Sequence, residues 1–165
     1  MNESKYYNQI KELIENYEVN SKVRYIQDNH EKLLTNWKIG KLLVEAQGGL
    51  NRAKYGDNLI KKWAIKLEKI FGNNYSKRNL MLYRKFYLLY PKVNALRTQL
   101  NWTHYRTLFS IKNENERNYY INYTILNNLS TRELEKAIKS RSYERLVYTD
   151  KENITLITDV NSTNL

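Results

Sequence analysis

The segment Asn73–Lys92, NNYSKRNLMLYRKFYLLYPK, combines concentrated positive charge with many large apolar side chains. It holds five basic residues, no acidic residue, and the single proline of the sequence. On a helix of 3.6 residues per turn its cations occupy one arc, and most of its Leu, Phe and Tyr residues occupy the opposite arc. We therefore expect an amphipathic helix that is capped by Ser76 and ends before Pro91.

A second basic helix is predicted just before this segment, from the N-cap Asp57 to Gly72. Its lysines share one side, opposite Leu59, Ile60, Trp63, Leu67 and Ile70. Two helices joined by a short glycine-containing turn match a helix-turn-helix, with the second helix as the candidate reader and its N-terminal N–H groups as a phosphate site. The predicted nucleic-acid contacts are Lys61, Lys62, Lys66, Lys69, Ser76, Lys77, Arg78, Arg84 and Lys85.

The positive charge of the chain is concentrated around these two helices. The net charge is +11, and the stretch from Arg52 to Lys112 has 14 basic residues against two acidic ones. The remainder, with 14 basic and 15 acidic residues, carries a net charge of −1. Such a block indicates a polyanionic partner, with DNA preferred. A solvated structural hairpin and an acidic protein partner are the alternatives.

Length and composition limit the remaining possibilities. A chain of 165 residues can bury one core, so we expect a helical domain over 1–146 and a linker or loosely ordered tail over 147–165. The absence of cysteine excludes disulfides, thiol nucleophiles and cysteine-based metal sites. With no signal-peptide pattern and no long apolar run, we expect a cytoplasmic protein without a membrane span.

The overall pattern predicts an all-α helical bundle. Apolar residues at three- and four-residue steps indicate two helices, Ser4–Tyr17 and Ser21–Gln47, packed as a long antiparallel hairpin. Gly40 lies on the buried stripe of the second helix, where it would allow close approach of the first, and His30 lies on the same stripe. Later helices are predicted to start at the caps Asn101, Asn113 and Ser130, with a final helix from Thr131 to Leu146.

Several motifs in this order resemble the N-terminal domain of the YhcG-type family. They are NWKIGKLLVEAQGG (36–49), AKYGDNLIKKWAIKLEKIFGNNYSKRNLMLYRKFYLLYP (53–91), LNWTHYRTLFSIKNENERNYY (100–120) and LSTRELEKAIKSRSYERL (129–146). The resemblance covers roughly residues 5–146. Tyr75 and Asn101 depart from it, since the family usually has Phe and often Ser at these positions.

The resemblance implies a helical module of helix-turn-helix type that usually precedes a PD-(D/E)XK nuclease domain. It places Asn79 and Tyr83 in the candidate reader beside the cations. The remaining family-motif residues, for which we favour structural roles, are Trp37, Gly40, Tyr55, Gly56, Trp102, His104, Tyr105, Arg132 and Glu133. The nuclease part is not found in this sequence.

No catalytic site is predicted. The one Glu-x-Lys, Glu3-Ser4-Lys5, has no acidic strand before it, and Asp150 and Glu152 lack a suitably placed Lys. No metal-ligand spacing or phosphate loop is present, so no metal or cofactor is expected. For His104 we favour a ring bonded to nearby backbone.

Two functional interpretations follow. The preferred one is a non-catalytic module that binds duplex DNA, although RNA is not distinguished. The alternative is a protein-interaction module, in which Trp37, Tyr6, Tyr7 and Tyr17 dock a second copy or a nuclease domain in trans. An enzymatic function is the least favoured.

Overall fold

The computed structural model describes residues 3–48 and 53–149, and this part of the chain contains seven α-helices and no strand. The all-α prediction is confirmed. The helices are α1 (Glu3–Ala46), α2 (Ala53–Phe71), α3 (Lys77–Leu89), α4 (Trp102–Leu108), α5 (Glu114–Asn127), α6 (Thr131–Lys139) and α7 (Ser142–Thr149). Short 3₁₀ turns, Asn73–Tyr75 and Val93–Ala95, precede and follow α3. Among the described residues, no helix is both long and apolar enough to cross a membrane.

The first helix is one continuous element, so the predicted antiparallel hairpin is wrong. α1 runs for 44 residues, which corresponds to about 66 Å at the usual rise. The two predicted apolar stripes lie on nearly opposite sides of this helix, and the change between them falls near Tyr17. No Gly or Pro occurs between Tyr17 and Ser21, so nothing in the backbone breaks the helix there.

The core is built around α3, which packs along the second half of α1 and against α4. Phe86 is fully buried, and its ring contacts those of Tyr90, Trp102, Tyr105 and Phe109 at centroid distances of 5.0–5.8 Å. On the other side of α3, the indole of Trp37 donates a 2.6 Å hydrogen bond to the carbonyl of Tyr90. The aromatic residues of Asn73–Lys92 are therefore largely core residues.

Gly40 brings α1 and α3 into close contact. A Cβ placed on Gly40 would overlap the carbonyl oxygen of Tyr83 and lie 2.7 Å from its carbonyl carbon and 3.1 Å from Cβ of Tyr87. The close approach expected at this glycine is present, but the partner is α3 and not an N-terminal helix. His30, predicted to be buried, is exposed.

Four of the predicted helix N-caps are confirmed. Ser76, Asn101, Asn113 and Ser130 cap α3, α4, α5 and α6, and each side chain accepts a backbone N–H three residues on. Asp57, however, lies inside α2 and is not its cap. The predicted final helix is two helices, separated at Arg141, which has a positive φ of 57°. α7 extends to Thr149, and the predicted tail beyond it, 150–165, lies outside the described residues.

Candidate nucleic-acid interface

The outer face of α3 is cationic, as the helical periodicity predicted. Lys77, Arg78 and Lys85 are exposed, while Leu80 and Phe86 of the same helix are fully buried. Arg84 differs from the other cations. It is half-buried, and its Nε donates a 2.6 Å hydrogen bond to Oε1 of Gln47 near the end of α1. This bond links α3 to α1, so the predicted contact residues of α3 are not equally available to a ligand.

The lysines of α2 are exposed as well. Lys61, Lys62, Lys66 and Lys69 all face solvent, while Ile60 and Ala64 are buried on the other side of the helix. Ile70, which was predicted to face the core, is instead exposed beside Phe71 at the end of the helix. None of the ion pairs among the described residues involves a cation of α2 or α3. These charges are therefore not neutralised by carboxylates in the described part of the chain.

The turn between the two helices is held by hydrogen bonds from the start of α3. Gly72 has a φ of 93°, a left-handed conformation that glycine adopts without strain. The side chain of Asn79 donates to the carbonyl of Asn73 at 3.0 Å, and the hydroxyl of Tyr83 donates to that of Asn74 at 2.8 Å. Asn79 and Tyr83 thus fix the position of the turn and the entry angle of α3.

Ser76 is engaged in the same turn. Its hydroxyl oxygen accepts a 3.4 Å hydrogen bond from the backbone N–H of Asn79, and the residue is half-buried. The predicted contribution of this side chain to ligand binding therefore competes with its capping role.

A polar cleft of about 490 Å³ lies between α1, this turn and the start of α4. Asn79, Tyr83 and Trp102, all family-motif residues, line it. Asn36 lines it too: this side chain is 6% exposed, and its Nδ2 has no hydrogen-bond partner among the described residues. Helical periodicity did not predict this buried amide, because Asn36 lies outside the apolar stripe that was assigned to this part of α1.

His104 joins the start of α4 to the end of α5. Its Nδ1 accepts from the backbone N–H of Asn101 at 3.1 Å, and its Nε2 lies 2.9 Å from the carbonyl of Leu129. With Nδ1 as an acceptor, Nε2 is the ring nitrogen that donates to the carbonyl of Leu129. Tyr105 is fully buried and accepts from the backbone N–H of Arg97 at 2.6 Å, while burial raises its pKa well above the usual value.

The other family-motif residues occupy separate positions. Tyr55 and Gly56 lie in the first turns of α2, and their side chains are outside the described set. Arg132 is exposed on α6. Glu133 completes a capping box by accepting the backbone N–H of Ser130 at 2.7 Å, and this hydrogen bond lowers the pKa of Glu133 from its usual value.

The described residues offer no arrangement for metal chemistry, since no three His, Asp or Glu side chains among them converge on a common point. Glu3, Lys5, Asp150 and Glu152, considered above for a nuclease centre, have side chains outside the described set. The candidate interface is therefore defined by the exposed cations of α2 and α3.

Comparison with known proteins supports the family resemblance that was inferred from the sequence motifs. Residues 9–145 match the family described as DUF1016 N-terminal domain. A relative in Escherichia coli (strain K12), named "Putative nuclease YhcG", is 29% identical over an alignment that covers 67% of this chain and 38% of the relative. The chain thus spans well under half the length of that protein. No solved structure matches.

Proposed function

The chain belongs to the family of DUF1016 N-terminal domains, and from this premise we propose that it is a non-catalytic module that binds duplex DNA. The relative that carries the nuclease name is much longer than this chain. In the proposed function the helical domain supplies affinity for DNA, and any cutting of the strand belongs to a nuclease domain, attached or separate.

The single observation that carries the proposal is the set of exposed, unpaired cations on two consecutive helices. α3 has no acidic residue, and the one described carboxylate of α2, Glu68, is half-buried. Such a surface releases condensed counterions from DNA when it neutralises phosphates, and this release is the main source of sequence-independent affinity. A surface needed only for solubility would more often mix both signs of charge.

The proposed binding mode assigns different tasks to the two helices. Lys77 and Arg78 lie in the first turn of α3 and Lys85 two turns further, on the same exposed side. In a helix-turn-helix the reader presents its N-terminal residues to base edges, so Arg78 is the proposed base contact. The α2 lysines would contact phosphates. Arg84 is the exception, because its hydrogen bond to Gln47 gives it a structural task.

A triple substitution tests the α3 surface. Lys77→Gln, Arg78→Gln and Lys85→Gln together keep good helix formers while removing three charges. Each phosphate contact contributes about 0.9 to the dependence of log affinity on log salt, so losing Lys77 and Lys85 should make the slope shallower by up to about 1.8, while losing Arg78 removes the proposed base contact. The matched control removes three exposed charges elsewhere: Lys38→Gln, Lys136→Gln and Lys139→Gln.

The two variants must differ for the proposal to hold. Fluorescence anisotropy with a labelled duplex should show weaker binding and a shallower slope for the α3 variant, with near wild-type behaviour for the control. Equal losses in both variants would mean that only net charge matters, and the proposed surface would be rejected.

A second candidate function, self-association, is favoured by the first half of α1. Between residues 7 and 28 every side chain except that of Ser21 is exposed. Nine large apolar side chains in this stretch are 46–70% exposed: Tyr7, Ile10, Leu13, Ile14, Tyr17, Val19, Val23, Tyr25 and Ile26. Five of them, Tyr7, Ile10, Leu13, Ile14 and Tyr17, share one side of the helix, and an exposed apolar stripe of this kind marks an interaction site.

The charges beside this surface suit a second copy in the antiparallel direction. Residues 11–18 hold Glu12, Glu15 and Glu18 together with Lys11, a net charge of −2, and they precede the basic Lys22 and Arg24. Within one copy, Lys11 pairs with Glu15 at 3.7 Å. Antiparallel pairing would set the acidic stretch of one copy against the basic stretch of the other. The predicted docking role of Tyr7 and Tyr17 thus remains part of this proposal, whereas Trp37 is buried against α3.

Light scattering tests the second candidate. The wild type should show about twice the monomer mass of 19.9 kDa, and Leu13→Gln with Ile14→Gln should return it to the monomer. Leu42→Gln, an exposed apolar position outside the stretch, is the control and should leave the mass unchanged. A monomeric wild type at every concentration measured would dismiss self-association.

A further inference from the structure

A second cavity, away from the proposed DNA surface, lies at the opposite end of α3. It measures about 390 Å³ and is bounded by the last residues of α3, the loop that follows, and the first turns of α5. Its polar lining residues are Tyr90, Lys92, Arg97, Glu114, Arg117 and Asn118. Three cations against one carboxylate give this lining an excess of two positive charges at neutral pH.

Arg117 is the feature of this cavity that needs an explanation. The side chain is only 7% exposed, and its Nη1 donates to the backbone carbonyls of Ile111 at 2.7 Å and Lys112 at 2.9 Å. It forms no ion pair with any carboxylate of the described residues. Arginine is rarely buried without a negatively charged partner, because desolvation of the cation is costly.

Tyr90 adds a second buried polar group. It is 7% exposed, and its hydroxyl oxygen lies within reach of the Arg117 guanidinium, but its proton has no acceptor among the described residues. Burial raises the pKa of Tyr90, and the nearby Arg117 offsets part of that rise, which places the hydroxyl beside the guanidinium. The phenolic proton and the guanidinium are both donors, so an acceptor with negative charge would complete the arrangement.

We propose that this cavity binds a phosphate monoester group. Phosphate is preferred to a carboxylate because a dianion matches the excess of two positive charges and offers acceptors to donors from several directions. Lys92 is exposed at the rim and Arg117 is buried at the wall, so the group would lie between them with the Tyr90 hydroxyl as a further donor. The volume leaves room for the organic part of the ester. The phosphate group could belong either to the end of a nucleic acid strand or to a free nucleotide.

This inference does not depend on the proposed contact of α2 and α3 with duplex DNA. Those cations lie on α2 and on the exposed side of α3, whereas Tyr90 caps the end of α3 and Arg117 belongs to α5. Loss of duplex binding in the α3 variant would leave the phosphate site intact. The two proposals therefore succeed or fail separately.

The first experiment titrates inorganic phosphate into the full chain, with chloride at matched ionic strength, and follows amide chemical shifts. Saturable shifts confined to residues near the cavity are expected with phosphate alone. Tyr90→Phe removes one hydroxyl whose proton has no acceptor among the described residues, so the free protein should be about as stable as the wild type. Lys92→Gln changes an exposed side chain and should also fold normally.

Both variants should bind phosphate about tenfold more weakly, which corresponds to the loss of one charge-assisted hydrogen bond. Lys139→Gln, far from the cavity lining, is the charge-matched control and should bind like the wild type. Identical phosphate affinity in Tyr90→Phe, Lys92→Gln and the wild type would overturn the proposal. Shifts that chloride reproduces would overturn it as well.

A second comparison identifies the source of the phosphate. An oligonucleotide with a 5′-phosphate is compared with its 5′-hydroxyl form, and a nucleoside monophosphate with its nucleoside. Preference for the phosphorylated form of either probe supports the site and names its source. No preference in either pair contradicts it.

Discussion

Replacing Gly40 by Ala should destabilise the protein, although alanine is the better helix former. In an open helix position this change would stabilise by about 1 kcal/mol. Here the new Cβ would overlap the carbonyl oxygen of Tyr83 and lie 2.7 Å from its carbonyl carbon. Carbon atoms in contact normally lie about 3.5–4.0 Å apart, so α1 and α3 would have to separate by about 1 Å.

The expected loss of stability is large because the atoms that obstruct the new Cβ belong to the backbone of α3. Overpacking a core costs about 1–3 kcal/mol, and the upper part of this range applies because the obstacle is backbone and not a flexible side chain. After subtraction of the propensity gain, a net loss of about 1–2 kcal/mol remains. For a chain of this size that loss lowers Tm by about 2–8 °C.

Calorimetry on Gly40→Ala, with Leu42→Ala as the control, measures this loss. Leu42 is two residues away on α1 and exposed, so its replacement should change Tm little. If Gly40→Ala raised Tm or left it unchanged, the close packing of α1 on α3 would be refuted.

Two further substitutions test other contacts. Trp37→Phe removes the indole donor to the carbonyl of Tyr90 and leaves a buried acceptor unpaired. The free energy of unfolding, measured in urea, should therefore fall by about 1–3 kcal/mol with the m-value unchanged. Glu133 has a folded-state pKa below its unfolded value, so its contribution to stability is present above about pH 4.5 and is lost as the pH falls through the folded-state pKa. Glu133→Gln should therefore lose less Tm than the wild type on acidification from about pH 6 to about pH 3, and parallel curves would contradict this linkage.

Local signals in the sequence predicted much of the fold. Helix starts at Ser76, Asn101 and Ser130 were found because a capping side chain bonds to backbone three residues away, which is a property of the local chain. The exposed cations of α2 and α3 were found because helical periodicity alone decides which side chains share a face. Both kinds of evidence are contained in short segments.

Contacts between distant segments were not predictable in the same way. The apolar stripe of α1 changes sides near Tyr17, and this change suggested a hairpin, although the backbone has no residue that would break the helix. Gly40 indicated a close helix contact without identifying α3 as the partner. The break at Arg141 places a non-glycine residue at positive φ, for which the sequence carries no signal.

In the candidate site, too, local periodicity predicted which residues are cations on a helix face, but not their contacts with distant segments. Arg84 has the periodicity of a surface cation, but its bond to Gln47, 37 residues earlier, depends on the packing of α3 against α1. Arg117 and Tyr90 were not singled out for a site either, because their proximity follows from how α5 meets the end of α3. Long-range packing therefore determines which cations stay available to a ligand.

The dependence of duplex binding on salt tests the central proposal most directly. With about six phosphate contacts from α2 and α3, log affinity should fall against log salt with a slope near −5. Anisotropy measured between about 50 and about 200 mM salt would then show a loss of roughly a thousandfold. An affinity that is constant over this range, or no binding at the lowest salt, would contradict a DNA-binding function.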